Sequence, residues 1–375
     1  MDSYPAISDL EKRARKRIPS FAWVYLTSGT GDDVARDNNE DELRKVKFRP
    51  QFLKGLLSPD IETTLFDTTY AAPIGIAPVG LTGLIWPTAD GALASTAASR
   101  RIPYVLSTVG TVEPEVAGPN AGGMGWFQLY PPRDPDMRSD MISRAADSGF
   151  TTLVVTADIP APSRRERQRK AQIRVPPVIG PRLIANAAMR PAWSAQAVRN
   201  GLPRFRGLEK YIDSESLKAL AGFVGASLGG TLSWDYLSEV RSMWDGPLVV
   251  KGILDPGDAK RCVEVGADAV WVSNHGGRQL DGAIASITAL PEIAEQVGGS
   301  VPVIFDSGIR DGLDVARALA LGADFCFAGR PFMFGLGALG AAGPNHVVDI
   351  LTEGLIATMH QVGVERLDQL SSRLA

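Results

Sequence analysis

The chain has 375 residues, 45% of them hydrophobic, enough to bury one large core or two smaller ones. Its 39 Lys and Arg against 42 Asp and Glu leave a net charge of -3, which gives no reason to expect a nucleic-acid partner. The first twenty residues are charged without an apolar centre, and no run reaches the roughly 18 apolar residues of a spanning helix, so a cytoplasmic protein without a secretory signal is expected.

Residues 1–70 read as a helical cap, with Ser8 and Asp9 as expected helix caps and Trp23, Val24, Tyr25 and Leu26 as one apolar patch. Beyond it, short runs rich in Val, Ile and Leu recur, each followed by a loop and a helix-like stretch. That is the rhythm of βα repeats. The expected strands are 74–77, 104–106, 126–128, 153–156, 248–251, 269–272, 303–306 and 325–328. Residues 312–321 carry Ala and Leu at helical spacing, with Gly322 as the stop. Eight strands predict a closed (β/α)8 TIM barrel over 71–375, forming a single domain with the cap. The alternative, an open doubly wound sheet, lacks a G-x-G-x-x-G after the first strand.

The fourth and fifth strands are about ninety residues apart, far beyond an ordinary βα connection, so 163–232 is read as an insertion. Residues 167–208 hold nine Lys or Arg and no acid. Pro176, Pro177, Pro181, Pro191 and Pro203 break this stretch, and Ile179, Leu183, Ile184, Met189, Trp193 and Phe205 stud it with apolar groups. Two readings stay open: a solvated, mobile flap over an active site, or a patch resting on an anionic membrane surface. Cys262 and Cys326 lack metal-ligand spacing and read as buried thiols of a reducing compartment, and no metal site is expected.

A barrel enzyme draws its chemistry from the C-terminal ends of its strands, and functional residue types collect there. In order they are Pro78-Val79-Gly80, Ser107-Thr108, Gln128-Leu129-Tyr130, Thr156-Ala157-Asp158, Lys251, Asp306-Ser307-Gly308-Ile309-Arg310 and Gly329-Arg330. After the sixth strand stands Ser273-Asn274-His275-Gly276-Gly277-Arg278-Gln279-Leu280-Asp281, which sets one of only three histidines three positions before an arginine. A lone histidine after a strand is more often a satisfied core residue, but eight strand ends in register favour a shared site with a base and a carboxylate clamp. Gly308, Arg310, Gly329 and Arg330 follow the seventh and eighth strands, the usual phosphate position in this fold. Lys251 ends a buried strand and is expected to face an electron-rich ligand atom, with a Schiff-base role as the alternative.

These motifs resemble the FMN-dependent L-2-hydroxy-acid dehydrogenase and oxidase family. The likeness runs over residues 8–370, through Tyr25 with Ser28-Gly29, Ala77-Pro78, Trp126 to Tyr130, Arg164-Arg165-Glu166 and Val250-Lys251-Gly252 as well as the histidine motif. The resemblance implies FMN and oxidation of an L-2-hydroxy acid to the 2-oxo acid, with His275 as base and Asp158 supporting its protonated form. It implies that Arg278 and Arg165 hold the substrate carboxylate, with Arg164 as a one-residue alternative, and that Tyr25 and Tyr130 contact substrate. For the flavin it implies Pro78, Val79 and Gly80 beside the ring. Ser107, Gln128, Thr156, Lys251 and Ser273 would stand around its polar edge, and Asp306, Gly308, Arg310, Gly329 and Arg330 at the phosphate. The acceptor of electrons is expected to be a quinone, or O2 in an oxidase. Gly80, Leu84-Ile85-Trp86-Pro87 and Arg190-Pro191-Ala192-Trp193-Ser194 look like the mandelate branch, and Lys251 to Pro256 like the bacterial lactate branch. The resemblance also implies a homotetramer and, since membrane-bound members attach through the corresponding insertion, peripheral membrane contact by 167–208.

Overall fold

The computed structural model describes residues 3–171, 180–201, 203–212, 227–229 and 232–375. Helix α1 (Ile7–Arg17) buries Ile7, Leu10 and Ala14, which fall on one face at helical spacing. It begins before the expected caps: Ala6 holds the N-cap position without a side-chain bond, and Ser8 and Asp9 lie inside the first turn. Asp9 there meets the positive end of the helix rather than capping it. Helix α2 (Ser20–Thr27) buries Tyr25 and Leu26 of the apolar patch, and the polar helix α3 (Val34–Lys45) follows.

A hairpin of β1 (Thr63–Leu65) and β2 (Thr68–Tyr70) was not foreseen within the cap. Its turn residues Phe66 and Asp67 both have positive φ, as a two-residue hairpin turn requires, but neither is the usual glycine or asparagine. Leu65 and Tyr70 of this hairpin join the inner core of the barrel.

That barrel has eight parallel strands: β3 (Ile74–Ile76), β4 (Tyr104–Ser107), β5 (Gly125–Leu129), β6 (Thr152–Thr156), β7 (Leu248–Ile253), β8 (Ala269–Val272), β9 (Val303–Phe305) and β10 (Phe325–Ala328). They pair in chain order and close through β10 onto β3. Burial on both faces makes each a mainly apolar run, with polar residues such as Ser107, Gln128, Thr156 and Lys251 towards the C-terminal ends. In β8, Ala269 and Trp271 point inward with Trp126, Val154, Val249, Ile304, Phe325 and Phe327, while Val270 and Val272 pack outward among the helices. Trp271 and Phe327 approach to 4.3 Å between ring centroids, and Trp126 Nε1 donates to the Tyr70 hydroxyl at 3.3 Å. The aromatic layer fills the barrel beneath the C-terminal strand ends. Strand limits differ from expectation by one or two residues: Ala77 and Asp306 lie beyond their strands, and β7 continues to Ile253 through an irregularity at Gly252.

The helix expected at 312–321 spans Gly312–Ala320, capped by Asp311, whose side chain accepts from Asp314 N. The insertion contributes helices Glu166–Lys170, Pro181–Ala188 and Pro191–Asn200 and a tight turn at Arg206–Tyr211. It is not uniformly solvated. Trp193 and Phe205 are buried, and Trp193 Nε1 donates to Leu84 O at 3.2 Å. Pro176, Pro177 and Ile179 and the side chains of Leu183 and Ile184 lie outside the described residues. Among the described residues, no helix is long and apolar enough to cross a membrane, and no group of His, Cys, Asp or Glu is placed to hold a metal. Both cysteines are free and buried, and burial pushes the Cys262 thiol up to about 12.

Candidate active site

The loops after seven of the strands, with Lys251 of β7 itself, meet at one cavity of about 390 Å³, into which Tyr25 of α2 and Arg165 of the insertion also project. His275 follows β8 with φ 58, a left-handed conformation that costs a non-glycine residue about 1–3 kcal/mol and needs a surrounding structure to hold it. His275 N donates to Ser273 Oγ at 3.0 Å, Gly276 N to Ser307 Oγ at 3.1 Å and Gly277 N to Asn274 Oδ1 at 3.1 Å. Gly277 is dictated by close approach, because a Cβ there would stand 2.3 Å from Arg36 N of α3.

His275 Nδ1 lies 2.9 Å from Asp158 Oδ1. Asp158 fits because of Gly252, whose φ of 102 and missing side chain leave the space: a Cβ would fall 2.6 Å from Asp158 Cβ and Cγ. Burial lowers the imidazole below its ordinary value, and Asp158 partly restores it. Burial raises the Asp158 carboxyl, but the His275 ring and Lys251 outweigh that and keep it below the ordinary carboxylate value. A neutral ring in this geometry presents its Nδ1 edge to the carboxylate. The carboxylate accepts the Nδ1 proton and leaves the Nε2 lone pair for base chemistry.

Arg278 Nη1 donates to Tyr25 O at 3.0 Å and Ser28 O at 3.3 Å, with its guanidinium 5.1 Å from the Tyr25 ring centroid. Burial, and then the charge of Arg165, lower Arg278 to about 10. Arg165 Nε donates to Ser163 Oγ at 3.0 Å and its backbone N to Thr30 Oγ1 at 3.3 Å. Neither arginine has an ion-pair partner among the described residues. Two unpaired forks facing one cavity suit a planar anion. Arg164, by contrast, is 79% exposed and pairs with Glu166. Tyr25 OH donates to Gly80 O at 2.9 Å, and Tyr130 is raised above its ordinary value by burial and by Asp158, so it remains a hydroxyl donor. The stiff Pro131-Pro132 step pairs with the end of the insertion, Gly229 N donating to Pro131 O at 2.9 Å.

Deeper in the cavity, Lys251 Nζ stands 2.9 Å from Asp306 Oδ2 and 2.6 Å from Ser273 Oγ, and Ser273 Oγ donates to Asp306 Oδ1 at 2.5 Å. An ammonium held by a carboxylate is a poor nucleophile, which argues against the Schiff-base role. Ser107 Oγ donates to Gln128 Oε1 at 2.8 Å and Gln128 Nε2 to Thr156 Oγ1 at 2.9 Å. Thr156 and Lys251 line the cavity, whereas Ser107, Gln128 and Ser273 lie behind its wall.

At the other end, Gly308, Arg310, Gly329 and Arg330 surround a cation-rich corner. Arg330 donates to Leu26 O at 3.1 Å, Gly276 O at 3.0 Å and Ser28 O at 3.2 Å, and has no ion-pair partner among the described residues. Burial, and then Arg278, Arg310 and Arg36, push it well below its ordinary value. Such a corner calls for an anion. Arg310 already holds Glu40 of α3 at 2.7 Å. The buried ammonium, the unneutralised guanidinium and Pro78, Val79 and Gly80 line one and the same cavity, a set of groups that fits a flavin mononucleotide.

Sequence reasoning missed what Gly252 does. Gly252 carried a faint signal, since an isolated glycine in a strand pattern suggests a bulge. Asp281, the last residue of the histidine motif, accepts from Asp32 N at 2.8 Å and Ala35 N at 3.0 Å, and so latches α3 rather than lining the cavity.

Residues 14–375 match the model of the FMN-dependent dehydrogenase family. The chain is 37% identical over 369 residues to an L-lactate dehydrogenase of Pseudomonas aeruginosa (strain LESB58), covering 98% of this chain and 97% of that one. It is 37% identical over 365 residues to an L-lactate dehydrogenase of Caulobacter sp. (strain K31), covering 97% and 96%. Among solved structures it is similar to a monotopic membrane protein, (S)-mandelate dehydrogenase, with a TM-score of 0.94, 33% identity and 99% of each chain covered. A mandelate oxidase matches with a TM-score of 0.84 and 31% identity, over 99% of this chain and 98% of the other. The chain therefore belongs to the FMN-dependent dehydrogenase family, with FMN as its cofactor.

Proposed function

We propose that the protein oxidises an L-2-hydroxy acid to the 2-oxo acid, with electrons passing from reduced FMN to a quinone-type acceptor. The observation that carries this reading is the 2.9 Å contact of His275 with Asp158 beside the unpaired Arg165 and Arg278. Arg278 and Arg165 hold the substrate carboxylate, and Tyr25 and Tyr130 orient the hydroxyl end. His275 Nε2 takes the proton released by the substrate, and Asp158 stabilises the resulting imidazolium. FMN, when bound, would accept the two electrons together with the second of the two hydrogens lost by the substrate. Lys251 and Thr156, with Ser107, Gln128 and Ser273 behind them, would hold the polar edge of the ring, where the Lys251 charge would favour its reduced form. Pro78, Val79 and Gly80 would lie along the ring and Gly308, Arg310, Gly329 and Arg330 would form the phosphate end, whereas Asp306, expected there from the sequence, is committed to Lys251 and Ser273 and as a carboxylate would repel a phosphate.

The side-chain pocket, walled by Val109, Ile159, Phe205 and Leu228 with no Cβ at Gly80, supports a bulky, mandelate-like substrate over lactate. Anaerobic titration of the holoenzyme with L-mandelate, L-lactate and glycolate tests this. L-mandelate is expected to bleach the flavin at the lowest concentration, and bleaching by none of the three would remove the substrate class. Similarity to mandelate oxidase favours a second reading with O2 as acceptor and hydrogen peroxide as product. Colour returning within a turnover on admitting air would establish it.

The insertion also supports peripheral contact with the cytoplasmic face of the membrane. Met189 and Val198 are 61% and 88% exposed beside Arg190 and Arg199, in the stretch with nine basic residues and no acid. Co-sedimentation with phosphatidylglycerol vesicles, lost in phosphatidylcholine and in high salt, is the expected result. A homotetramer belongs to the same family reading, and sedimentation velocity measures it.

A further inference from the structure

We infer that Asn39, in the N-terminal segment, is a positioning residue for His275, an inference that rests on the assignment of His275 as base. Asn39 sits in a helix whose other side chains are largely polar and solvent-facing, yet it is only 2% exposed. Both ends of its amide are used. Asn39 Nδ2 donates to Asn274 Oδ1 at 2.8 Å, and Asn274 Nδ2 donates back to Asn39 Oδ1 at 2.8 Å. Asn39 Oδ1 also accepts from Ser286 N at 3.3 Å. The same Asn274 Oδ1 accepts from Gly277 N at 3.1 Å, and Asn274 N donates to Ser286 Oγ at 2.9 Å.

One buried network therefore grips the residue before His275 and the residue two after it. Between those grips His275 is held at φ 58, which persists only where neighbours over-determine it. Removing the Asn39 amide strips one donor and one acceptor from Asn274, in a place where an unmet polar group is costly. The loop then has freedom to relax, and Nδ1 drifts from Asp158. Arg278 is anchored elsewhere, on the carbonyls of Tyr25 and Ser28, so the substrate clamp does not depend on this network directly. A base displaced without displacing the clamp separates the rate of reduction from the affinity for substrate.

The test uses the holoenzyme and anaerobic stopped-flow reduction of its flavin. Asn39→Ala is expected to slow reduction at saturating substrate by about 10- to 100-fold, the scale of a displacement near 1 Å. Half-saturating substrate and bound FMN should change less than about threefold if clamp and phosphate end stay intact. The acid limb of the pH profile should move to lower pH, because the Asp158 contact that raises His275 is weakened. Ser286→Ala loosens the same network from outside α3, is expected to shift the same quantities in the same direction, and serves if Asn39→Ala does not fold. A native reduction rate per bound flavin in whichever variant folds overturns the inference. His275→Ala is measured alongside: full-rate reduction there overturns the base assignment itself, whereas a dead His275→Ala with a native Asn39→Ala overturns only the role of Asn39.

Discussion

His275→Ala is expected to purify yellow with FMN bound and to lose about 10²- to 10⁴-fold in the rate of flavin reduction, the range of a positioned general base. The cavity supports this separation, because the cations proposed to hold the cofactor, Lys251 and Arg330, do not depend on the imidazole for their own bonds. Only the backbone of the loop, through Gly276 O, reaches Arg330, and alanine keeps that carbonyl. The pH dependence of the unaltered enzyme follows from the same geometry. Burial lowers His275 and Asp158 partly restores it, so the base is neutral and active at high pH, and activity falls as pH drops through its pKa. Asp158→Asn removes the restoring charge: the acid limb moves to lower pH while the maximal rate drops, because the imidazolium loses its stabilising anion. Anaerobic reduction followed at 450 nm across a pH series measures both. A native rate in His275→Ala would assign the base elsewhere.

Lys251→Met is expected to destabilise the protein by about 3–5 kcal/mol as well as to impair the cofactor site, the magnitude found when one member of a buried ion pair is removed. The Lys251 and Asp306 side chains are 4% and 10% exposed, so the loss is barely screened by solvent. Asp306 would keep its bonds from Ser273 and Ser307 but no cation in ion-pair contact among the described residues. Lys251 Nζ also lies 5.1 Å from the Trp271 ring centroid, a contact the variant forfeits. Thermal unfolding and FMN content report the two effects separately. Pairing Lys251→Met with Asp306→Asn should recover much of the stability and none of the reduction rate. A Lys251→Met protein that melts and turns over as the parent does would remove the ion pair from both roles.

The barrel was legible because each strand is buried on both faces and so reads as a short apolar run ending in residues no core would choose, such as Lys251 and Arg330. The β1–β2 hairpin was not, since three-residue strands joined by Phe66 and Asp67 lack both alternation and a glycine turn. Ser8 and Asp9 looked like caps because residue type marks a helix start only within a residue or two. The residues proposed for the reaction were readable by their placement at strand ends, but their support was not. Asn39 meets Asn274 across 235 positions; its spacing with Ala35 and Leu43 marks a buried face, but nothing local marks what that face meets. Arg310 was readable as a phosphate ligand, yet its bond to Glu40 depends on where α3 is laid down. Gly252 was visible as a letter, but its use, making room for Asp158, is set by the neighbouring strand.

Ser28 O accepts from Arg278 on one side and from Arg330 on the other. The proposed substrate clamp and the proposed phosphate corner therefore share a single peptide near the beginning of the chain, and the second of these bonds spans 302 positions. During synthesis the carbonyls of Leu26 and Ser28 receive Arg330 only after the last barrel strand has left the ribosome. A nascent chain halted before β10 would carry the groups proposed for the flavin ring but lack Gly329 and Arg330 of the proposed phosphate end.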